Sequence, residues 1–583
     1  MKRIAPVLTR SLSALSLTLF ISPAFSESKP VTAVVLGDSF SSGQAGRWRG
    51  NTRVPQGGAS TPESFGTDGA EHAAPGYPRW DSVYEEDSID NGCHRAYSAP
   101  IRQLRKPYFP MPPLQINGPF PSVVNLACSG ARSKHLWPEA EGGEYQMDQV
   151  PQITRLNELA QDNDIELIVL GIGGNDLGFS DMIASCIYFW IAKNEMEEFE
   201  DERCWDDINE TLSLSLFDTY GNVSKTVDLI RQTMTIHGRT DPNDYRIVLM
   251  GYPAIIAGSD DNRYNEWNRR IYGRCPFIDD DSDYIKHTLM PKINGLYEAL
   301  AHEKSVDFIN PQYVFDGHKL CEAESQRATP EISATAENME WVRYLDSTMD
   351  PEGNGRAGAM TSWLEDNLFS EDNPMGEQGR VNESMRPNQF GQEALGSCLR
   401  KWWIQRGTAP SAFNCSNPNP ASTQHVKVGP LAEPTSVHVG GSYSIPDAEL
   451  QQQDPPPGGG DDPNDPPTKT PPPHTEGVVT VPGELQRHFT IAENGQSEPG
   501  RMARIELAID HPYRGDLRIL LRNPSGAEYI LKRENPSHSS PMPSVWRGYL
   551  THAALQPGQW TLVIQDTKNA HTGTLHGFNI YWF

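Results

Sequence analysis

The sequence predicts an α/β domain built on a parallel sheet, followed by an all-β sandwich, in a chain of 583 residues. In the first region, short apolar runs alternate with helical patterns, which is typical of a parallel sheet covered by helices. A run rich in Pro, Gly and Asp then interrupts the chain. Beyond it, short alternating apolar runs are punctuated by Gly and Pro, as in a β-sandwich. The length fits two to four domains.

Four apolar segments of the first region are predicted as buried strands: Val31–Leu36, Ile165–Ile172, Tyr245–Tyr252 and the shorter Val306–Ile309. Helical patterns lie between them, for example at Val150–Ala160 and Leu289–Ala301. Ligands of such sheets bind outside the carboxyl ends of the strands. The turns that follow the strands are therefore the places to search for functional residues.

The first 26 residues are predicted to be a signal peptide. Lys2 and Arg3 provide a basic start, Leu12–Ile21 is apolar, and Ala24-Phe25-Ser26 is a suitable cleavage site. A membrane anchor is the alternative, but this apolar run is too short to span a bilayer comfortably. No later stretch reaches spanning length. We therefore expect a secreted protein, extracellular or periplasmic.

The charge balance disfavours nucleic acid as a partner. The chain has 49 basic and 76 acidic residues, and its net charge is −27. Such a chain repels polyanions, and no block of Lys and Arg offsets the repulsion. We expect a monomer.

The eight cysteines all follow the predicted signal peptide, which favours disulfide bonds. Cysteine positions alone permit many connectivities, but the spacing favours sequential pairing into four short loops. Zinc is the competing use, and the absence of C-x-x-C and paired Cys/His spacings disfavours it. The predicted pairs are Cys93–Cys128, Cys186–Cys204, Cys275–Cys321 and Cys398–Cys415.

Three turns carry residues suited to nucleophilic catalysis. Ser39 follows the first strand in a Gly-Asp-Ser turn, where its hydroxyl can face a substrate. Gly130 lies in a Cys-Ser-Gly-Ala segment and Asn175 in a Gly-Gly-Asn-Asp segment. A glycine N–H and an asparagine amide can both donate to an oxyanion. Each turn also has an ordinary structural explanation, as a helix N-cap or as a tight turn.

Together these turns resemble those of the SGNH (GDSL) hydrolases, because Ser39, Gly130 and Asn175 occupy the first three signature positions in order. The segments Cys93-His94-Arg95 and Gly251-Tyr252-Pro253, with Gly317–Cys321, resemble a disulfide-bearing secreted esterase subgroup. The resemblance covers roughly residues 31–405, with insertions near 44–92 and 325–380. It implies a three-layer α/β/α domain, Ser39 as nucleophile, and Gly130 and Asn175 as the oxyanion hole. It implies neither a metal nor an organic cofactor.

One signature position differs from the family. Arg386 stands where the family has its catalytic histidine, and Glu383 stands at the position of the acid. Arginine keeps its proton, so it cannot take one from Ser39, and losing a general base costs about 10²–10⁴-fold. Three interpretations remain open. His318 is an alternative base, the domain is a binding protein on a hydrolase fold, or Arg386 holds an anionic substrate while the oxyanion hole supplies residual activity.

Residues 477–583 resemble the P domain (P/Homo B) of proprotein convertases. The resemblance is carried by the segments Ile509–Leu517, Leu521–Gly526 and Gly558–Leu562. It implies an accessory β-sandwich without catalytic residues, and it raises the alternative of a serine endopeptidase. That alternative is disfavoured because no D-[ST]-G, H-G-x-H or G-T-S motif of a subtilisin triad occurs.

The predicted organisation is therefore a signal peptide (1–26), a hydrolase domain (27–445), a linker (446–476) and the sandwich (477–583). The predicted function is hydrolysis of an ester, with a lipid, an acetylated glycan and a polyester all open as substrates.

Overall fold

The computed structural model describes part of the chain. The described residues are 28–583 without 52–66, 68, 70–81, 89–90, 106–117, 194–202, 242, 273–274, 327, 329–331, 333, 345–382, 433, 453–477, 492–501, 536, 538, 551–555 and 570. The predicted signal peptide lies outside the described residues, as does most of the predicted linker.

The first region is an α/β domain around a seven-stranded sheet of order β2-β1-β3-β4-β5-β6-β7. Strands β1 to β6 are parallel, and β7 runs antiparallel to β6. The strand order reverses at β1, which lies between β2 and β3, and crevices at such reversals are the usual ligand sites. The strands are β1 (Val31–Gly37), β2 (Ser122–Asn125), β3 (Asp164–Gly171), β4 (Arg246–Met250), β5 (Asp307–Tyr313), β6 (Ala412–Ser416) and β7 (Lys427–Pro430).

Helices flank this sheet and bury its apolar side chains. In the described chain, α2, α4 and α7 form one packed group, whereas α8 packs on the 3₁₀ turn Pro100–Leu104 and on β5. The helices are α1 (Ser39–Ser42), α2 (Gln152–Asp162), α3 (Phe179–Ile191), α4 (Cys204–Ile236), α5 (Glu266–Tyr272), α6 (Asp279–Tyr284), α7 (Met290–Lys304) and α8 (Gln389–Gln405). Among the described residues, no helix is both long enough and apolar enough to cross a bilayer.

The C-terminal region consists of antiparallel sheets, as its alternating pattern predicts. One sheet has the order β11-β16-β13-β14 and a second has β15-β12-β17-β8. Trp560 and Trp582 from the two sheets are buried in a shared core, with ring centroids 5.8 Å apart. The strands are β8 (Thr435–Ile445), β9 (Glu449–Gln452), β10 (Val478–Val481), β11 (Gly483–Ile491), β12 (Ala503–Asp510), β13 (Leu517–Arg522), β14 (Glu528–Lys532), β15 (Val545–Leu550), β16 (Gly558–Asp566) and β17 (Gly573–Trp582).

The sandwich includes residues that the sequence assigned to the first domain. Strand β8 precedes the predicted linker, yet it pairs along its length with β17 and forms an edge of the second sheet. Gly440 and Gly441 interrupt its apolar alternation, which explains why the pattern did not reveal a strand. Strands β9 and β10 pair with each other on either side of residues 453–477. Both ends of the Pro-rich run are therefore held close together.

The sandwich also contacts the first domain directly. Arg504 on β12 donates to the Ala299 carbonyl at 2.9 Å and to His302 Nδ1 at 3.2 Å, both on α7. The hydroxyl of Tyr549 donates to Glu303 of the same helix at 3.3 Å. These contacts connect α7 to two strands of one sheet, so the sandwich has a defined docking site on the α/β domain.

The structure joins the same four cysteine pairs that the spacing predicts. Cys93–Cys128 connects the segment after Asn91 to the turn that carries Gly130. Cys186–Cys204 connects α3 to the start of α4. In the chain-entropy description, closing loops of this size stabilises the fold by about 3–4 kcal/mol each.

We predict that cutting the chain between Gln453 and His474 leaves the two pieces associated, because β8 remains paired with β17. A specific protease site inserted there and cleaved should give fragments that co-elute in gel filtration. Val439→Asp, which places a charge on a side chain packed against the sandwich core, should let them separate. Ser436→Asp on the exposed side of β8 is the control. Separation of the cleaved native chain would contradict the assignment of β8 to the sandwich.

Candidate active site

Ser39 lies at the carboxyl end of β1, next to the point where the strand order reverses. The side chain of Gln152 continues the sheet pairing here: its Oε1 accepts from Gly37 N at 2.8 Å and its Nε2 donates to Gly37 O at 2.9 Å. Asp38 caps α1 by accepting from Phe40 N at 3.0 Å. The chain thus leaves the strand in one fixed direction, and Ser39 becomes the first residue of α1.

The two predicted oxyanion donors lie on neighbouring turns. Asn175 Nδ2 donates to the Ala131 carbonyl at 2.8 Å, which ties its amide to the turn that carries Gly130. Gly130 has a φ of 77°, an arrangement that favours glycine. Its N–H has no hydrogen-bond partner among the described residues, and the residue is exposed. One N–H from each residue therefore remains available for an oxyanion.

Tyr252, which the sequence marked only as part of the Gly251-Tyr252-Pro253 segment, connects the Ser39 turn to the Asn175 turn. The Tyr252 hydroxyl, just after β4, donates to Asp38 and accepts from Gly174 N at 2.8 Å. A second tyrosine, Tyr297 on α7, donates to the Ile172 carbonyl at 2.7 Å. Both tyrosines are fully or almost fully buried. Tyr252 is the last residue of a predicted strand, so the sequence could have predicted its position beside the site. Tyr297 lies in the middle of a helix, and no sequence pattern indicates its role.

The carboxyl of Asp38, next to Ser39 in the chain, has a raised pKa. Burial raises the pKa of Asp38 to about 6, although its bonds from Tyr252 and Phe40 N and the nearby charge of Arg386 oppose the shift. Both carboxylate oxygens are engaged, one with Phe40 N and the other with the Tyr252 hydroxyl. Asp38 therefore organises the turn and has no contact with the Ser39 hydroxyl.

Arg386 contacts the nucleophile directly. Its Nε donates to Ser39 Oγ at 2.8 Å, and Nη2 donates to Ser180 Oγ at 3.2 Å. The guanidinium carbon lies 5.5 Å from the centroid of the Phe40 ring. Burial lowers the pKa of Arg386, and the negative charge of Asp38 counteracts part of this effect. Ser39 itself is only 2% exposed.

Glu383, predicted at the acid position, is occupied elsewhere. It accepts from Trp48 Nε1 at 2.6 Å and from the Tyr84 hydroxyl, and it pairs with Arg47 at 3.4 Å. The carboxylate is completely buried. Burial opposes ionisation of Glu383, but Arg47 and its hydrogen bonds outweigh it and lower the pKa. In the described chain Glu383 has no contact with the side chain of Arg386.

His318, the alternative base predicted from the sequence, is not brought to Ser39. Its Nδ1 lies 2.7 Å from the Met339 carbonyl, its Nε2 lies 2.5 Å from the Pro420 carbonyl, and its ring stacks on Trp341. Both ring nitrogens therefore face backbone carbonyls of this segment rather than Ser39. No contact supports His318 as a base, and that role stays a prediction.

An apolar cavity adjoins the Ser39 turn. It is lined by residues from three strands and the turns after them, from α1, from the 3₁₀ turn Pro100–Leu104 and from α8. These residues are Val35, Phe40, Ser41, Pro100, Ile101, Val169, Gly171, Met250, Gly251, Tyr252, Pro253, Leu395 and Leu399. Within the described chain, no group of three or more His, Cys, Asp or Glu residues has the arrangement of a metal site.

Comparison with known families recognises the C-terminal region. Residues 501–582 match the model of the proprotein convertase P-domain. This match covers less of the sandwich than the structure does, because β8 and β11 precede it. No curated protein matches the chain.

Solved structures similar to the chain include hydrolases of several kinds. An extracellular lipase from Streptomyces rimosus is 17% identical over 62% of this chain and 94% of its own, with a TM-score of 0.28. A two-domain esterase active on acetylated mannans is 7% identical over 94% and 90%, with a TM-score of 0.19. A serine protease of Aeromonas sobria is 12% identical over 26% and 27%, with a TM-score of 0.14. At these scores the function must be argued from the site itself.

We predict that Asp38 lowers the stability of the fold as pH rises from about 4 to about 6. Its pKa is raised from 3.8 to about 6, so the native state binds more protons than the unfolded state in that interval. A shift of this size corresponds to about 3 kcal/mol. Chemical denaturation at several pH values should show wild type losing stability relative to Asp38→Asn across the interval.

The exposed Asp260→Asn variant is the control for this measurement and should track wild type. A constant difference between wild type and Asp38→Asn from pH 4 to pH 6 would contradict the raised pKa.

Proposed function

We propose that this chain is a secreted serine ester hydrolase that acts through an acyl-enzyme on Ser39. The observation that carries the proposal is the grouping of three turns at one edge of the sheet. The Ser39 turn and the Asn175 turn share Tyr252 as a hydrogen-bonding partner, and Asn175 is bonded to the Gly130 turn.

This arrangement suits acyl transfer chemically. Ser39 Oγ would attack the ester carbonyl, and the resulting oxyanion would accept from the N–H of Gly130 and the amide of Asn175. Donors that are fixed before the reaction stabilise the developing charge without reorganising. Removing one such donor typically costs about 10²–10³-fold in kcat.

A second candidate function is binding without turnover. It is favoured by one observation: Arg386 donates to Ser39 Oγ at 2.8 Å, at the position where the SGNH family has a base. In this alternative, Ser39, Asn175 and Arg386 form a polar pocket for an ester or an anion. The geometry of the site does not support the peptidase alternative that the P-domain raises, since no residue of the sandwich contacts Ser39 among the described residues.

The remaining parts of the proposal come from the sequence. Secretion is supported by the N-terminal pattern and by the four disulfides. A lipid, an acetylated glycan and a polyester remain candidate substrates, and we propose a monomer that needs no metal or organic cofactor.

We predict that Ser39→Ala abolishes hydrolysis of a chromogenic acetyl ester by the purified protein. Ser98→Ala, which removes a hydroxyl bonded to the Gly46 carbonyl outside the site, should retain the wild-type rate. Intact-protein mass spectrometry after rapid quenching should show one added acetyl group in wild type and none in Ser39→Ala. Equal rates in wild type and Ser39→Ala would favour the binding function.

We also predict that Arg386→His raises ester hydrolysis at pH 7 by about 10²-fold, the lower end of the usual contribution of a general base. The gain stays at this lower end because Glu383 is bonded to Trp48 and Tyr84 and is not free to orient the new ring. Arg386→Gln, which adds no base, is the matched control and should show no gain. A rate unchanged by both substitutions would show that another base already operates.

A further inference from the structure

We propose that Arg386 is itself a catalytic residue, whose guanidinium stabilises the Ser39 alkoxide after solvent hydroxide has removed the hydroxyl proton. Because this mechanism has no side chain that protonates the leaving group, it restricts the enzyme to esters with acidic leaving groups. This inference rests on the proposed function and specifies its substrate class as esters of phenols or enols. It differs from the usual serine hydrolase scheme, in which a side chain both takes and returns the proton.

The geometry supports stabilisation of an anion at Ser39. Guanidinium nitrogens only donate, so Ser39 Oγ accepts in the bond of 2.8 Å from Arg386 Nε, and its own hydrogen points elsewhere. The bonds from Arg386 to Ser180 Oγ and to the carbonyls of Ser384 and Met385 hold the guanidinium in place. When the hydroxyl ionises, this bond becomes one between two charged groups and strengthens.

The described part of the chain offers no side chain to take the proton. Both Asp38 oxygens are engaged by Phe40 N and Tyr252. Asp176 accepts from Ser133 N and Asn222. Among these residues, neither carboxylate and no imidazole is hydrogen-bonded to Ser39. In our proposal, hydroxide is therefore the acceptor.

Charged and titratable groups from five segments surround Arg386 and its partners. They are Asp38 after β1, Tyr252 after β4, Asp176 after β3, Asp181 on α3, and Arg132 after the Gly130 turn. Asp38 changes charge near its pKa of about 6, and burial raises the pKa of Tyr252 well above its usual value. A pH series that starts at about 7.5 therefore lies above the main titration of Asp38.

The steps balance without a proton donor from the protein. Hydroxide takes the Ser39 proton and becomes water. The alkoxide forms a bond to the carbonyl carbon, and the carbonyl π pair moves onto the oxygen near Gly130 and Asn175. Collapse breaks the bond to the leaving group, which departs as an anion and takes its proton from water.

Deacylation uses a second hydroxide. It adds to the acyl carbon, and collapse expels the Ser39 oxygen as an alkoxide that Arg386 stabilises. The carboxylic acid then gives its proton to this alkoxide, which yields the carboxylate and restores the hydroxyl.

The missing proton donor determines the substrate class. An imidazolium can protonate an alkyl alkoxide as it departs, but arginine holds its proton too strongly for that role. A phenolate or enolate departs without protonation because its charge is already stabilised. We therefore expect rates that depend steeply on the acidity of the leaving group.

The test measures kcat/KM for a series of substituted phenyl acetates and one alkyl acetate, from about pH 7.5 to about pH 9.5, with Ser39→Ala subtracted as the blank. Wild type should rise about tenfold per pH unit without a plateau, and should hydrolyse the aryl esters but not the alkyl ester. Arg386→His should instead reach a plateau near the titration of its imidazole and depend less on the leaving group. Arg386→Gln, which removes the charge, should lose about 10²-fold against wild type.

The outcomes separate the inference from the proposed function. Ser39-dependent hydrolysis with a plateau below about pH 8, or with the alkyl ester as good a substrate as the aryl esters, overturns the inference and leaves the ester hydrolase standing. Ser39-dependent hydrolysis that is unchanged in Arg386→Gln also overturns it. Hydrolysis at the Ser39→Ala rate throughout overturns both, and circular dichroism of each variant at each pH excludes unfolding as the cause.

Discussion

The hydroxyl of Tyr252 is the contact on which the site depends. It donates to Asp38 and accepts from Gly174 N, so one buried oxygen joins the turn after β1 to the turn after β3. Parallel neighbouring strands bring their carboxyl ends to the same edge but do not by themselves fix the turns beyond them. Because the hydroxyl donates to one turn and accepts from the other, it fixes both turns, and the buried hydroxyl is itself hydrogen-bonded. Ser39 and Asn175 each lie one residue beyond a group that Tyr252 holds.

Helix α7 connects this edge to the rest of the molecule. Asn294 accepts from Tyr252 N and donates to Tyr252 O, each at 2.9 Å, and Tyr297 bonds the Ile172 carbonyl next to the Asn175 turn. The same helix contacts the sandwich through Ala299 and Glu303. The sandwich therefore packs on the element that positions the site, whereas no described residue of the sandwich reaches Ser39. This arrangement agrees with a supporting domain better than with a substrate-binding one.

The sequence predicted the parts of this structure that depend on local pattern. Apolar runs located β1, β3 and β4, and the turns that follow them carry Ser39 and Asn175. The same reasoning missed β8, because Gly440 and Gly441 break its alternation and its partner β17 lies more than a hundred residues later. It also left the roles of Tyr297 and Gln152 unseen. A tyrosine or glutamine inside a helix resembles any other, and only the fold shows which carbonyl or N–H it reaches.

The structural role of Glu383 is consistent with an arginine at position 386. An imidazole base needs a carboxylate to fix its tautomer and orientation, but a guanidinium has no tautomer to select and donates from every nitrogen. With Arg386 against Ser39, the carboxylate of Glu383 has no catalytic partner to hold, and it binds Trp48, Tyr84 and Arg47 in the interior. Removing it would leave the buried indole N–H of Trp48 without this acceptor, which costs about 1–3 kcal/mol. The carboxylate at the position that the resemblance assigns to the acid thus serves stability here, and in our proposal the chemistry at Ser39 depends on the charge of Arg386.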